Sequence, residues 1–283
     1  MLGFEVIFLF VLGLIWILFA VVQDLKTREI ANWLNFSLII FALGFRFFYS
    51  LFEIGDFHFF YQGLIGFAIF WILSNLFYYG KMFAGGDSKL MAALGAILPF
   101  STNFLVNVKT FGLFLLLFLI VGAIYGLLVT FYFGIVNFSK LKKEFKVQLK
   151  KNKKMVYLLL SLAVIFLIGG FFIGSLFYLG LVMFFISYLY VYTKAVDEAC
   201  MIKKIKTFKL TPGDWLYKDE KVGKKTIKAT WDGLSEKEIK LLQKKKFVFV
   251  RYGIQFAPVF LISFILLWLV LKFTWFTGFL FSF

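Results

Sequence analysis

Two of the carboxylates bordering the apolar runs of this 283-residue chain are placed to work together. Asp24 closes the first apolar run, and Asp87 sits in Ala84-Gly85-Gly86-Asp87 at the start of the fourth. An ionisable group at membrane depth is costly, so each is a functional candidate by default. Two carboxyl groups sharing a site cannot comfortably both ionise, so the pair holds a single proton near neutral pH. Such a pair can hydrolyse a peptide. The ionised member takes a proton from a bound water that attacks the scissile carbonyl, and the protonated member donates toward the carbonyl oxygen. This chemistry calls for no metal, no cofactor and no covalent intermediate. Gly85 and Gly86, lacking Cβ atoms, would let an extended substrate backbone lie close to Asp87. Taken singly, Asp87 or Ser88 could be an ordinary helix cap and Asp24 an interfacial charge beside Lys26 and Arg28. Their joint placement favours a shared site.

The elements that must position them follow from composition. Hydrophobic residues make up 62% of the chain, aromatic residues 22%, and mean hydropathy is +0.90. A soluble domain would carry roughly 45–50% apolar residues. The runs are apolar all round, which fits membrane helices, since only helices or closed barrels satisfy every backbone group in hydrocarbon and a barrel would alternate. One cysteine, Cys200, and one histidine, His58, exclude a disulfide framework and an ordinary zinc cage. The net charge of +16 comes largely from eight Lys between Lys140 and Lys154 and sixteen Lys/Arg between Lys194 and Arg251. Basic clusters beside apolar spans mark the cytoplasmic side and can touch anionic membrane lipids. No nucleic-acid reader motif accompanies them, and no nucleic-acid partner is expected.

Candidate spans lie near Phe4–Val22, Trp33–Leu51, Phe59–Tyr79, Lys89–Phe100 with its flanks, Val108–Val136, Met155–Tyr192 and Ile254–Trp275. Phe4–Val22 lacks a basic n-region and a small-residue cleavage site, and is read as a true span. Lys26, Arg28, Lys81 and the Lys-rich stretches orient one side to the cytoplasm, with Glu5, Glu53 and Asp56 outside. Both flanks of Met155–Tyr192 are basic, so this stretch crosses twice or only dips into the membrane. The expected fold is an α-helical polytopic membrane protein of eight transmembrane helices, or six with a dipping hairpin, plus a small α+β cytoplasmic domain. Its parts are a transmembrane catalytic domain at 1–193, the cytoplasmic domain at 194–252 and a C-terminal span at 253–283. Within 194–252, Thr211-Pro212-Gly213-Asp214 and Asp232-Gly233 read as turns, Thr226–Trp231 as strand-like, and Ser235 with Glu238 as a capping box.

Two segments then resemble a known family. Asp24-Leu25-Lys26-Thr27-Arg28-Glu29-Ile30-Ala31-Asn32-Trp33-Leu34-Asn35 looks like the first catalytic segment of archaeal prepilin and preflagellin peptidases, membrane aspartyl proteases of the GxGD type. Ala84-Gly85-Gly86-Asp87-Ser88-Lys89-Leu90, running on to Leu98-Pro99, is similar to their second. Pro212-Gly213-Asp214-Trp215, Asp232-Gly233-Leu234-Ser235 and Gly253-Ile254-Gln255-Phe256-Ala257-Pro258 also resemble the archaeal branch. The resemblance implies a plasma-membrane endopeptidase that cleaves the short basic leader from archaellin or type IV pilin-like precursors at the cytoplasmic face. Asp24 and Asp87 would be its catalytic pair, with Ala84, Gly85, Gly86, Lys89 and Glu29 shaping the site or touching substrate. Two positions depart from the family pattern: Ala84 replaces the first Gly of Gly-x-Gly-Asp, and Ala31 stands where archaeal relatives often have Pro. The methyltransferase activity and four-cysteine zinc motif of bacterial relatives are not expected with one cysteine.

Glu29 also reads as a solvated helix-end charge, and Arg46, Lys109 and Lys272 as side chains snorkelling to an interface. A proton-coupled transporter relaying through Asp24 and Asp87 is the alternative function. It would place its site near the bilayer midplane between repeats, whereas these aspartates border one face and no repeat is visible.

Overall fold

The computed structural model describes residues 3–277 apart from Lys224, and they form two compact units, one of residues up to 125 and from 255 on, the other of residues 126–254. The boundary expected at 194 falls inside the second unit. The α-helices run α1 (Phe4–Thr27), α2 (Asn32–Tyr49), α3 (His58–Tyr79), α4 (Gly85–Ile97) and α5 (Phe104–Val136). They continue with α6 (Phe138–Lys151), α7 (Lys153–Gly169), α8 (Gly174–Val196), the short α9 (Glu236–Leu242) and α10 (Ala257–Thr277).

In the first unit α4 is the hub, and every residue from Leu90 to Ile97 is buried. Around it pack α1, α2 and α3, each by an i, i+3/i+4 stripe. The stripe of α1 is Val6, Leu9, Gly13, Ile17, Ala20 and Asp24, so the carboxylate stands on the core-facing line of its helix. The opposite side of α1 exposes Phe8, Ile15, Leu18, Phe19 and Val22, as a lipid-facing surface would. α3 reaches α4 through a glycine pair: a Cβ on Gly66 would stand 2.4 Å from the Gly95 carbonyl, and one on Gly95 would stand 2.5 Å from that of Gly66. Only hydrogens let the two backbones approach this closely.

Arg46 overturns its reading as a snorkelling side chain. It is fully buried at the far end of α4, donating from Nε to the Ala96 carbonyl, from Nη1 to that of Phe59, and from Nη2 to those of Ile97 and Pro99. A helix ends in unpaired carbonyls and a partial negative charge, and a guanidinium fork answers both. The physical reason for the correction is that α4 stops inside the bundle, where no water can satisfy its carbonyls.

The same stop bears on the span count. At 1.5 Å per residue the 13 residues of α4 reach about 20 Å, short of a hydrocarbon core of about 30 Å. Among the described residues five helices are long and apolar enough to cross: α1, α2 with the π turn Ser50–Ile54 that continues it, α3, α5, and α8 with the π turn Asp197–Met201. Six result if α6 and α7, bent by 79°, are taken as one span. Helices do occupy all eight expected places, but α4, α7 and the apolar part of α10, Ala257–Phe273, are short.

The second unit joins a helical hairpin to a small sheet. α7 and α8 turn around Gly169–Gly174 and pack along their length. α6 is amphipathic, laying Leu141 and Phe145 against Tyr192, Ala195 and Val196 of α8 and turning its lysines outward. Beyond α8, strands β1 (Ile202–Lys206), β2 (Trp215–Leu216) and the later β5 (Phe247–Arg251) form an antiparallel sheet in the order β1-β5-β2, while β3 (Glu220–Val222) and β4 (Lys225–Ile227) make a separate hairpin. The two turn motifs dock on each other. Gly213 N donates to the Leu234 carbonyl, Leu234 N donates to that of Asp214, and Trp215 stacks on Trp231 with centroids 4.3 Å apart. The capping box forms as expected, with Ser235 and Glu238 bonded reciprocally at the start of α9.

Candidate active site

Asp24 is buried three residues before the end of α1, and the chain turns sharply just after it. Arg28 adopts a left-handed conformation (φ 62°), and its N–H returns to the Asp24 carbonyl at 2.9 Å. The Gln23 side chain straps the connection by accepting from Ala31 N at 3.0 Å. Ala31 has φ −62°, the angle that a proline ring would impose. The chain thus holds by a hydrogen bond, which Pro could not donate, the turn that Pro would stiffen.

The carboxylate of Asp24 faces the start of α10. Ala257 N donates to its Oδ2 at 3.1 Å, and Gln255 Nε2 donates to its backbone carbonyl at 2.6 Å. The first turn of a helix presents unpaired N–H groups and a partial positive charge, which suits a carboxylate. That turn is held by aromatic packing: Phe256 and Phe260 sit 5.7 and 4.7 Å from Phe118, and both lie about 6 Å from Phe83. Each such pair adds about 0.5–1.5 kcal/mol beyond its buried area, so the amide is fixed before any substrate arrives.

Asp87 is the third residue of α4, half-buried, with its carboxylate accepting from the backbone N–H of Ala84. It lies close enough to Asp24 for their charges to interact, as does Tyr125 of α5. Two helices therefore bring the predicted carboxylates to one end of the bundle. Ser88 ties the same turn down, donating from Oγ to the Ser74 carbonyl.

The other predicted residues separate by position. Ala84 caps α4 in an extended conformation (φ −72°), so the side chain it has in place of Gly costs no strain. A Cβ on Gly86 would press on Ile30 at 3.2 Å, whereas one on Gly85 would meet only Tyr78 at 4.0 Å. Gly86 thus closes α4 against the α1–α2 connection, and Gly85 faces open space. Lys89 donates to Asn32 Oδ1 at 2.6 Å, linking the starts of α4 and α2. Glu29 is exposed in the α1–α2 connection. Among the described residues no three of His, Cys, Asp and Glu gather as a metal site. Gln255 and Ala257 were not picked out by residue type. Their only signal was the resemblance carried by Gly253–Pro258, which gave them no role.

Two carboxylates thus reach one end of the bundle from separate apolar helices, the arrangement that carboxylate-pair chemistry requires. Residues 11–135, which carry both, match the model of the type IV leader peptidase family. The preflagellin peptidase of Methanocaldococcus jannaschii is 34% identical over 90 residues, which are 32% of this chain and 38% of that protein. The preflagellin peptidase of Methanococcus maripaludis is 30% identical over 90 residues, with the same shares. The chain thus matches well under half the length of these curated relatives. No solved structure matches it. The family named from the two aspartate segments is borne out.

Proposed function

We propose that the protein is an aspartic-type endopeptidase that removes the short basic leader from archaellin or type IV pilin-like precursors. The observation that carries this reading is the approach of Asp87 to Asp24 at the end of the bundle where the α1–α2 connection and the glycines of α4 meet. One carboxylate takes the proton of a water as it attacks the scissile carbonyl. The other donates to the carbonyl oxygen, and return of a proton to the leaving nitrogen breaks the C–N bond. The Ala257 amide and Gln255 hold Asp24 while this happens, and the open side of Gly85 receives the extended substrate. Lys26, Arg28, Lys81 and Lys89 mark this end as cytoplasmic, in the plasma membrane. The finer topology is eight membrane-embedded helices, with the hairpin α7–α8 returning both basic flanks to the cytoplasmic side.

The test is cleavage of precursors carrying a basic leader and a hydrophobic segment, by membranes containing wild-type, Asp24→Asn or Asp87→Asn protein, each shown to be inserted. Both variants should lose on the order of 10³–10⁴-fold in rate. Ordinary cleavage by either variant would remove that residue from the mechanism. Failure of well-folded wild type on every precursor would return the pair to the transporter reading.

A further inference from the structure

Asn35, the fourth residue of α2, is 1% exposed, yet neither its Nδ2 nor its Oδ1 has a hydrogen-bond partner in the protein. A carboxamide brings two donors and an acceptor, and a buried amide unpaired at both ends calls for a reason. A serine hydroxyl in the same state, as at Ser50 or Ser263, presents far less polar surface.

Its depth follows from the register of α2 on α4. Arg46 reaches Ala96 and Ile97 at one end, Lys89 bonds Asn32 at the other, and Ile30 abuts Gly86. The two helices therefore run side by side in the same direction. At 1.5 Å per residue Asn35 lies about 16 Å back from Arg46, and Asp87 about 14 Å back from Ala96–Ile97. The amide lies within a turn of Asp87 when placed from the Arg46 end, and about a turn and a half further along than Asp87 when placed from the Lys89–Asn32 end. It also stands on the stripe Asn35, Leu38, Ala42, Arg46, whose Arg46 end contacts α4. Asp24 shares this depth: it is three residues before the end of α1, and Asn35 is three after the start of α2.

We propose that Asn35 is a third polar residue of the carboxylate site, its carboxamide binding a small donor–acceptor group there, either the attacking water or a peptide link of the substrate. This rests on the peptidase reading. An amide that offers a donor and an acceptor side by side matches the N–H and C=O of an extended chain, and equally a water lying between carboxylates.

Asn35→Leu has nearly the shape of the native side chain and removes the polar atoms. An amide that only packs would be replaced without loss, because removing a buried unpaired polar group is neutral or stabilising. The expected result is a full-length protein with unchanged or higher thermal stability whose kcat/KM for precursor cleavage falls on the order of 10- to 100-fold. A fall in kcat at constant KM identifies water as the bound group, and a rise in KM identifies the peptide link. Wild-type kcat/KM in Asn35→Leu, alongside an inactive Asp87→Asn, would overturn the proposal and leave the peptidase reading standing. Should the leucine variant not fold, Asn35→Ser should cleave faster than an equally stable Asn35→Ala. Equal rates in that pair would overturn it.

Discussion

The two units of this protein treat charge in opposite ways. The first contains seven basic and six acidic residues, and several of those few are enclosed: Asp24 under the start of α10, Asp87 in the first turn of α4, Arg46 beneath its last. The second contains 24 basic and nine acidic residues, and most of its lysines face outward, as along α6. A charge in low dielectric persists only where geometry supplies its partners, so each one constrains its surroundings strongly. An exposed lysine constrains almost nothing and is weakened by salt. The place to look for chemistry is therefore where charge is scarce and enclosed, and the +16 of the whole chain points away from it.

Removing an enclosed charge should break that contrast most severely. Arg46→Leu deprives four carbonyls of their donor, and we expect a loss of about 3–5 kcal/mol with collapse of cleavage, since α4 carries Asp87. Arg46→Lys keeps the charge but loses the planar fork, and should fall between. Thermal unfolding of the purified protein in detergent reads both, and an unshifted midpoint for Arg46→Leu would refute the anchoring role. A smaller effect is expected at the other end of the bundle. Gln255→Ala frees the Asp24 carbonyl from its side-chain donor, and kcat should drop about 10-fold with KM nearly unchanged. Ala257→Pro removes one N–H at a helix position that accommodates proline, and should match it. Full activity in both would mean that α1 alone holds Asp24.

What the sequence made legible tracks how local each cause is. The apolar runs, the turn at Asp232-Gly233 and the capping box are local, and the helices and turns formed where they were expected. The aspartates could be singled out because the motifs around them are short and contiguous. Arg46 was misread because three of its four partners lie 50 to 53 positions onward, at a helix end that hydropathy extends into a full span. The bond from Ala257 to Asp24 joins residues 233 positions apart, and no periodicity foretells it. Asn35 was quoted only as part of a motif, because burial without a partner is visible only in three dimensions.

The smallest expected effect tests the contrast from the charged side. At the start of α9, Ser235 N donates to Glu238 Oε2 at 2.9 Å and Ser235 Oγ does so at 2.6 Å, and these bonds hold the carboxyl below its ordinary range. A carboxyl that ionises more readily in the folded chain than in the unfolded one stabilises the fold above its unfolded pKa. That contribution drains as pH falls through the folded value. Protection of the α9 amides against hydrogen exchange, corrected for intrinsic rates, should therefore weaken below the ordinary glutamate range. Ser235→Ala should lower it by about 1 kcal/mol at neutral pH, and Glu238→Gln should remove most of its pH dependence. Neither variant should alter precursor cleavage, because an exposed cap constrains only its own turn. A loss of cleavage that followed the loss of the cap would show that the second unit's local order reaches the carboxylate pair, and the division of labour between enclosed and exposed charge would have to be abandoned.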